Sequence, residues 1–226
     1  NRSNIGREAN DITSMTPLSY AGATLKVSTI SLASHGSLGH ACAVLKDNQK
    51  QVVCWGDNSK GQLGVSSRDN KTVATNSYDF ASNVIELALG EHHSCALLDN
   101  GEVQCWGGNS SGQLGIKSGT EMSDETLESV DFGGYKKAVS LVSSRFFSCA
   151  ILIDGNVKCW GSNSQGQLGI GSQESIGDDA NEIGNDTIFK SSQIDSNVKT
   201  TVESSNAVSD ATLTVAPSGV LDSQTR

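Results

Sequence analysis

The sequence CWGGNSSGQLG at residues 105–115 has two further copies in the chain, CWGDNSKGQLG at residues 54–64 and CWGSNSQGQLG at residues 159–169. An additional cysteine precedes each copy, at Cys42, Cys95 and Cys149, and these cysteines are 53 and 54 residues apart. A fixed period of this length is typical of repeat architectures. The sequence therefore predicts three copies of one structural unit.

The middle copy shows the structure that one unit adopts. An apolar run begins at Cys95, meets Asp99 and Gly101, and returns through Val103 to Cys105, which predicts a β-hairpin around a glycine-containing turn. In this register Cys95 faces Cys105 on the same side of the sheet as Leu97 and Val103. A cross-strand disulfide fits such a non-hydrogen-bonded pair. The same register predicts disulfides Cys42–Cys54 and Cys149–Cys159, with two extra residues in the first turn.

A further apolar stretch precedes each hairpin, at residues 25–32, 84–89 and 138–142, and predicts an inner strand. Ile85, Leu87 and Leu89 alternate along the second stretch, as do Val139 and Leu141 along the third, and this alternation is typical of a strand. About twenty polar residues follow each GQLG, as at 66–82 and 117–134, and are interpreted as exposed loops. A strand, a hairpin and a loop in about 50 residues is the plan of a β-propeller blade.

These motifs carry a family resemblance. The pattern CWGxNxxGQLG, preceded by a hairpin of the form HxCALxxxGxV, resembles the regulator of chromosome condensation (RCC1) repeat. The resemblance covers residues 6–189 and implies an all-β fold. Founding members of that family form seven-bladed propellers, so about three full blades with partial flanking ones are expected here, as part of such a ring. Cysteine at both hairpin positions resembles the secreted and cell-surface branch of the family.

The domain prediction follows from where the pattern holds. Residues 1–189 are predicted to be the propeller segment, with repeat hairpins near 40–65, 93–116 and 147–170. Residues 6–12 resemble residues 177–183, so the first twenty residues are expected to be the tail of a preceding repeat, and the chain a segment of a longer protein. Residues 190–226 lack cysteine and tryptophan and are interpreted as a degenerate blade, a linker or the start of another β module.

The recurring residues have structural roles in this reading. The three tryptophans are predicted to pack one blade against the next, with each indole N–H seeking an acceptor. The glycines allow tight turns, the asparagines bond the backbone of their own turn, and the leucines lead the chain back into the core. The sets are Trp55, Trp106 and Trp160; Gly56, Gly107, Gly161, Gly61, Gly112 and Gly166; Asn58, Asn109 and Asn163; and Leu63, Leu114 and Leu168.

Metal binding and catalysis are disfavoured by the same pattern. Spacings of ten or twelve residues between paired cysteines are unlike zinc sites and favour disulfides, which imply an oxidising compartment; the alternative is reduced, buried cysteines. His40 and His93 precede a cysteine by two residues where the third copy has Phe147, so these positions are interpreted as packing sites. His92 is likewise matched by Phe146, which leaves His35 unassigned. No catalytic residue, cofactor or metal is predicted.

Two kinds of surface site remain. The acidic stretches at 7–11 and 178–182 could bind calcium, although their spacing favours solvated loops. Glycosylation sequons occur at Asn1, Asn70, Asn109 and Asn185. Asn70 and Asn185 lie in predicted loops and are the candidate glycosylation sites, whereas Asn109 is assigned to a structural turn.

Composition limits the class of partner. The chain has 226 residues and a formal net charge of −9, with no basic run, so nucleic-acid binding is not expected. No apolar stretch approaches the ~20 residues of a membrane-spanning helix, so membrane insertion is not expected.

The leading functional prediction is a non-enzymatic extracellular or cell-surface scaffold that binds a protein or glycan through variable loops. Loop residues such as Asp124 and Tyr78 are then expected to affect binding and not stability. Two alternatives stay open. The chain could self-assemble as a structural subunit of an extracellular fibre or surface layer, because open blade edges invite pairing. It could also regulate or inhibit another enzyme, although paired cysteines and a charge of −9 suit small-GTPase exchange badly.

Overall fold

The computed structural model describes residues 18–35, 38–116, 127–134, 136–177 and 182–185, all in the first of two units of the chain, Asn1–Ser191. The predicted module at 190–226 lies outside the described residues. The described residues form these elements: β1 Ser19–Tyr20, β2 Ala23–Thr24, β3 Val27–His35, β4 Leu38–Leu45, β5 Gln51–Gly56, β6 Lys71–Asp79, β7 Val84–Leu89, β8 His93–Leu98, β9 Val103–Gly107, β10 Ala138–Ser143, β11 Phe147–Leu152, β12 Val157–Gly161 and α1 Glu182–Asn185.

Three antiparallel sheets follow one another along the chain and correspond to the three sequence copies. We call them blade 1 (β3-β4-β5-β6), blade 2 (β7-β8-β9) and blade 3 (β10-β11-β12). A separate two-stranded ribbon, β1-β2, precedes blade 1. In each blade the inner strand comes first in the chain and pairs with the hairpin that follows it. The all-β architecture agrees with the prediction of propeller blades.

The hairpin register is the one predicted from the sequence. Cys42 pairs with Cys54, Cys95 with Cys105 and Cys149 with Cys159, and each pair is joined by a disulfide. The Cα atoms of the three pairs lie 4.2, 4.1 and 4.0 Å apart, the close spacing of directly opposed residues in a non-hydrogen-bonded pair. Each disulfide therefore ties the two hairpin strands of its own blade.

Apolar side chains on the two faces of each blade enter different cores. One face of blade 1 packs against blade 2, and the opposite face of blade 2 packs against blade 3. We call each of these interfaces a seam. The buried residues at the first seam include Cys42, Val44, Val52, Leu63, Leu87, Ala96, Leu98 and Trp106. Those at the second include Cys95, Leu97, Val103, Leu114, Leu141, Ala150, Leu152 and Trp160.

The predicted inner strands are present as β7 and β10, but two of the alternating apolar residues are exposed at bulges near the start of these strands. A bulge in β7 leaves Ile85 without a partner in β8, and this side chain is 52 % exposed while Leu87 and Leu89 are buried. The same bulge in β10 leaves Val139 51 % exposed although Leu141 is buried. An extra residue shifts the two-residue period, so side chains before and after the bulge change faces.

The segment predicted as an exposed loop at 66–82 is also corrected. Nine of its residues form β6, which pairs with the free edge of β5 and makes blade 1 four-stranded. The Tyr78 ring packs edge-on against Trp106, with 5.4 Å between ring centroids, and so belongs to the seam. In the second predicted loop Val130 and Phe132 are buried in the core, whereas Asp124 lies outside the described residues. Tyr78 is therefore a packing residue and not a free loop position.

The bulge in β7 predicts different effects on stability for two neighbouring apolar residues. Leu87→Ala removes a buried side chain at the first seam and is expected to lower the free energy of unfolding by about 2–5 kcal/mol. Ile85→Ala, two residues away on the same strand, is expected to change it by less than about 0.5 kcal/mol, because Ile85 is half exposed. Chemical denaturation of both variants measures the difference, and equal losses would show that the bulge is placed wrongly.

Candidate functional site

A tryptophan holds each seam together. The indole Nε1–H of Trp106 in blade 2 donates a hydrogen bond to the carbonyl of Gln62 in blade 1, at 2.9 Å. Trp160 in blade 3 repeats this with the carbonyl of Gln113 in blade 2, at 3.0 Å. Both tryptophans are fully buried. The acceptor that the sequence analysis left unidentified is thus the GQLG glutamine of the preceding blade.

The rest of the motif shapes the turn that presents this carbonyl. The side-chain Oδ1 atoms of Asn58, Asn109 and Asn163 accept the N–H groups of Leu63, Leu114 and Leu168 at 2.9–3.0 Å, as predicted. Gly107 has a φ of 103°, and a Cβ there would lie 2.6 Å from the carbonyl oxygen of His92, so only glycine fits. The motif therefore builds the turn that the next tryptophan binds.

A second contact crosses each seam between a histidine and a serine. His40 Nε2 lies 2.8 Å from Ser94 Oγ, and His93 Nε2 lies 2.9 Å from Ser148 Oγ. The histidine is two residues before the first cysteine of one blade, and the serine is one residue before that cysteine in the next blade. Comparison of the copies explained the histidines as packing residues but missed their partners, because the pair is only visible when adjacent copies are read together.

These histidines are held in the neutral state. Burial lowers the pKa of His93 to about 3, with a smaller lowering from His92. Burial also lowers the pKa of His40 to about 3, where His93 and His92 lower it further and Asp57 opposes them. The Nδ1 atoms of both His40 and His93 are buried without a hydrogen-bond partner in the described part of the chain. A proton added at Nδ1 would therefore place an unpaired charge inside the seam.

The His40–Ser94 pair does not have the geometry of a nucleophilic site. The Ser94 hydroxyl donates to the carbonyl of Gln62 at 2.8 Å, so its proton points away from His40 and the imidazole acts as the donor. A serine nucleophile requires the reverse, a hydroxyl that donates to the imidazole. Both serines are also buried. The geometry suits a structural link between blades.

A buried lysine anchors the segment that follows blade 3. The ammonium of Lys158 is buried and donates to the carbonyls of Phe132, Ile183 and Gly184, at 3.0 Å for Phe132 and 2.9 Å for Gly184. Ile183 is buried in the core that contains Trp160. The role of Lys158 could not be predicted from the sequence, because a lysine side chain is normally exposed and its three acceptors are backbone carbonyls 25 or 26 residues away.

The exposed polar surface at the seam between blades 2 and 3 is built by two loops, residues 90–92 and 144–146, which we call the inner-strand loops. Their backbones are joined by the Glu91 N–H donating to the Arg145 carbonyl at 3.0 Å. Arg145 donates twice to the Glu91 carboxylate, from Nε at 2.5 Å and from Nη2 at 3.3 Å. The guanidinium carbon also lies 4.8 Å from the centre of the Phe146 ring, and the rings of His92 and Phe146 have centroids 6.3 Å apart.

This cluster is ordered and yet accessible. The Arg145 side chain is 60 % exposed, and its pKa is raised because it is hydrogen-bonded to Glu91. Arginine and aromatic side chains that are already held in one conformation contribute most to protein interfaces. Among the described residues the inner-strand loops are therefore the best candidate binding surface.

Other predicted sites are placed as follows. Asn70 is exposed, and its Oδ1 accepts the Asn58 N–H at 2.9 Å. Asn185 ends α1, and Asn109 is buried. Within the described ranges, no group of three or more His, Cys, Asp or Glu residues could hold a metal ion. The acidic stretch at 7–11 lies outside these ranges, as do residues 178–181 of the second stretch and Asn1, and His35 is described only as the last residue of β3.

No helix in the described part of the chain is long and apolar enough to cross a membrane.

Comparisons with known proteins identify the repeat. A family model described as "Regulator of chromosome condensation (RCC1) repeat" matches residues 31–62, 84–113 and 138–167, and a second model with the same description matches residues 51–97. The human probable E3 ubiquitin-protein ligase HERC6 is 32 % identical over 131 residues, which is 58 % of this chain. The X-linked retinitis pigmentosa GTPase regulator of Canis lupus familiaris is 33 % identical over 129 residues, or 57 % of this chain. The chain spans only 13 % of the length of either relative.

A solved structure confirms the fold. The yeast RCC1 protein Prp20, in its crystal structure with Kap60, superposes with a TM-score of 0.58 at 22 % identity. The superposition covers 81 % of this chain and 42 % of that chain. The three sheets are therefore β-propeller blades.

The buried histidines predict a stability that falls in acid. In the unfolded chain, His40 and His93 take up protons below the ordinary histidine pKa of 6.5. In the folded chain they do so only near pH 3. The stability that these two histidines contribute is therefore fully present above pH 6.5 and is lost as the pH falls from 6.5 towards 3. The two histidines together should lower the free energy of unfolding by about 3 kcal/mol between pH 7.5 and pH 5.5. Glu86 acts in the opposite direction at lower pH, because burial raises its pKa.

His93→Gln is the matched variant, because its amide can still donate to Ser148 but cannot titrate. The free energy of unfolding of this variant should fall by half as much between pH 7.5 and pH 5.5 as that of the parent chain, whatever its absolute stability. Urea denaturation at the two pH values measures this difference. An unchanged pH dependence in the variant would mean that His93 titrates normally in the folded protein.

Proposed function

This chain belongs to the regulator of chromosome condensation (RCC1) repeat family, and on that premise we propose that it is a non-enzymatic scaffold that binds a protein partner through the inner-strand loops. The observation that carries the proposal is the pre-ordered cluster of Arg145, Phe146, His92 and Glu91 at the exposed edge of the second seam. The residues of the repeat motif form the contacts between blades. This favours binding through the loops over a catalytic role for the repeat motif.

The relatives are consistent with a binding role without defining the partner. Prp20 was solved bound to Kap60, so one protein with this fold is known to bind another protein. The ligase activity in the name of the human relative belongs to a protein of which this chain matches 13 %, and we do not extend it to this chain. The polar, partly aromatic character of the loop cluster favours a protein surface with an acidic or aromatic group opposite Arg145.

We propose an extracellular or cell-surface location for the chain. All six cysteines are paired in disulfides, which persist in oxidising compartments and are rare in the cytosol. The same observation makes small-GTPase exchange inside the cell a poor candidate, despite the regulator named among the relatives. Inhibition of a secreted enzyme is the second candidate, since it needs only the same binding surface.

The binding proposal is tested with purified secreted proteins of the source organism, hydrolases included, presented one at a time to the immobilised chain in an interferometry assay. We expect a binder whose affinity falls at least about fivefold in Arg145→Ala and in Phe146→Ala, because truncation of a hot-spot side chain costs more than about 1 kcal/mol. For a hydrolase that binds, its activity with and without the chain separates inhibition from passive binding.

Lys136→Ala provides the matched control. Lys136 also forms an ion pair, 3.0 Å from Asp154, but at the opposite end of the blade 3 strands. The Lys136→Ala substitution should leave the affinity for the binder unchanged. Binders that respond equally to all three variants, or no binder at all, would contradict the proposed surface.

The proposed location predicts the thiol state of the native protein. Protein taken from its natural source and treated with an alkylating reagent before any reduction should carry no alkylated cysteine by intact mass. After reduction in denaturant it should carry six. Alkylation of all six without reduction would contradict the extracellular location, because the disulfides would then be absent in the cell.

A further inference from the structure

The sequon Asn70-Lys71-Thr72 lies where the chain enters strand β6. A sequon has the form Asn-x-Ser/Thr with any residue except proline at x, and it is the acceptor for N-linked glycans in secreted proteins. Asn70 comes directly before the strand and Thr72 is the second residue of the strand, and both are exposed. Arg68 and Asp69, which precede the sequon, are exposed as well. This part of the surface therefore has room for a bulky modification.

The two branches of the Asn70 amide have different surroundings. Oδ1 accepts a hydrogen bond from the backbone N–H of Asn58, at 2.9 Å. Nδ2 donates to no residue in the described part of the chain. An N-linked glycan is attached at Nδ2 and replaces one of its two hydrogens, so the Oδ1 atom remains a hydrogen-bond acceptor. Glycosylation of Asn70 is therefore compatible with its contact to Asn58.

This contact ties Asn70 to an ordered turn of blade 1. Asn58 is fully buried and belongs to the repeat motif. Its Oδ1 accepts the N–H of Leu63 at 3.0 Å, and its Nδ2 donates to the carbonyl of Ser67. Because the Asn70 carbonyl group is held by this turn, the amide nitrogen on its other branch is left for a covalent linkage.

The sequon Asn109-Ser110-Ser111 has the same form but a different environment. Asn109 is only 2 % exposed, and its Oδ1 accepts the N–H of Leu114 at 3.0 Å. At the equivalent positions in blades 1 and 3, the Nδ2 atoms of Asn58 and Asn163 donate to backbone carbonyls of the segment that follows the turn. A glycan on Asn109 would have to occupy this packed region, so the folded blade excludes it.

We propose that Asn70 is an N-glycosylation site of this chain and that the sequon at Asn109 stays unmodified. In the transfer, Asn70 Nδ2 attacks the anomeric carbon of an oligosaccharide carried on a lipid pyrophosphate. The bond from that carbon to the pyrophosphate oxygen breaks, the lipid pyrophosphate leaves with the electron pair, and Nδ2 loses one proton to the transferring enzyme. The inference rests on the proposed extracellular location, because such transfer acts on exported chains, and is independent of the inner-strand loops.

The test locates glycans on the chain purified from its source organism. Chymotrypsin cleaves after Leu63 and Tyr78, which leaves Asn70 in a single peptide. Tandem mass spectrometry of this peptide, before and after enzymatic deglycosylation, shows whether a glycan is attached and to which residue. We expect a glycan on Asn70 and none on the peptide that contains Asn109.

Two substitutions of one residue separate the role of the sequon from that of the fold. Thr72→Ala destroys the sequon but keeps Asn70 and its contact with Asn58, so the glycan should be lost completely. Thr72→Ser is the matched control, because serine also completes a sequon, and it should retain the glycan. Thr72 is exposed, so neither variant should alter the fold, and circular dichroism checks this.

The thiol state of the same sample keeps this proposal distinct from the proposed location. If all six cysteines are paired and Asn70 carries no glycan, the glycosylation site is wrong although the location is right. If the cysteines are reduced and Asn70 is unmodified, both proposals are wrong. A glycan on Asn109, or one on Asn70 that survives Thr72→Ala, would also overturn the proposal, because the attachment would then follow neither the exposure of the site nor the sequon.

Discussion

The hydrogen bond from a buried indole to the glutamine carbonyl of the preceding blade is the contact on which the rest of the structure depends. Because Trp106 and Trp160 are fully buried, each N–H must have an acceptor inside the seam. The acceptor is a backbone carbonyl, so the turn that carries it must have one fixed conformation. This requirement explains why asparagine, leucine and glycine recur at fixed offsets around the glutamine.

The same requirement determines where recognition can occur. The residues that make the polar contacts of the two seams are all buried, which removes them from contact with any ligand: Trp106, Trp160, Gln62, Gln113, His40, His93, Ser94 and Ser148. What remains accessible is the edge of each seam, where loops from two blades meet. The Glu91–Arg145 contact lies at such an edge. The packing of blade 2 against blade 3 therefore also holds the binding cluster in place.

Much of the fold could be predicted because its signals are local. The hairpin register follows from two cysteines that flank one turn, and all three disulfides are confirmed. The bulges that expose Ile85 and Val139 could not be predicted, because an inserted residue leaves no distinct signal in an apolar run. Strand β6 could not be predicted for a related reason: most of its residues are polar, and only Ala74 and Tyr78 of this described strand pack against a core. The histidine–serine links were missed because their members lie 54 or 55 residues apart.

The two seams share one sensitivity to acid. Each contains a histidine whose neutral state is enforced by burial, so acid weakens the contacts between blades. The Nδ1 atoms of His40 and His93 are buried without a hydrogen-bond partner in the described part of the chain, so a proton added there would be an unpaired charge between two blades. Because unfolding of one blade exposes the seam of its neighbour, the loss of either seam in acid weakens the packing of all three described blades.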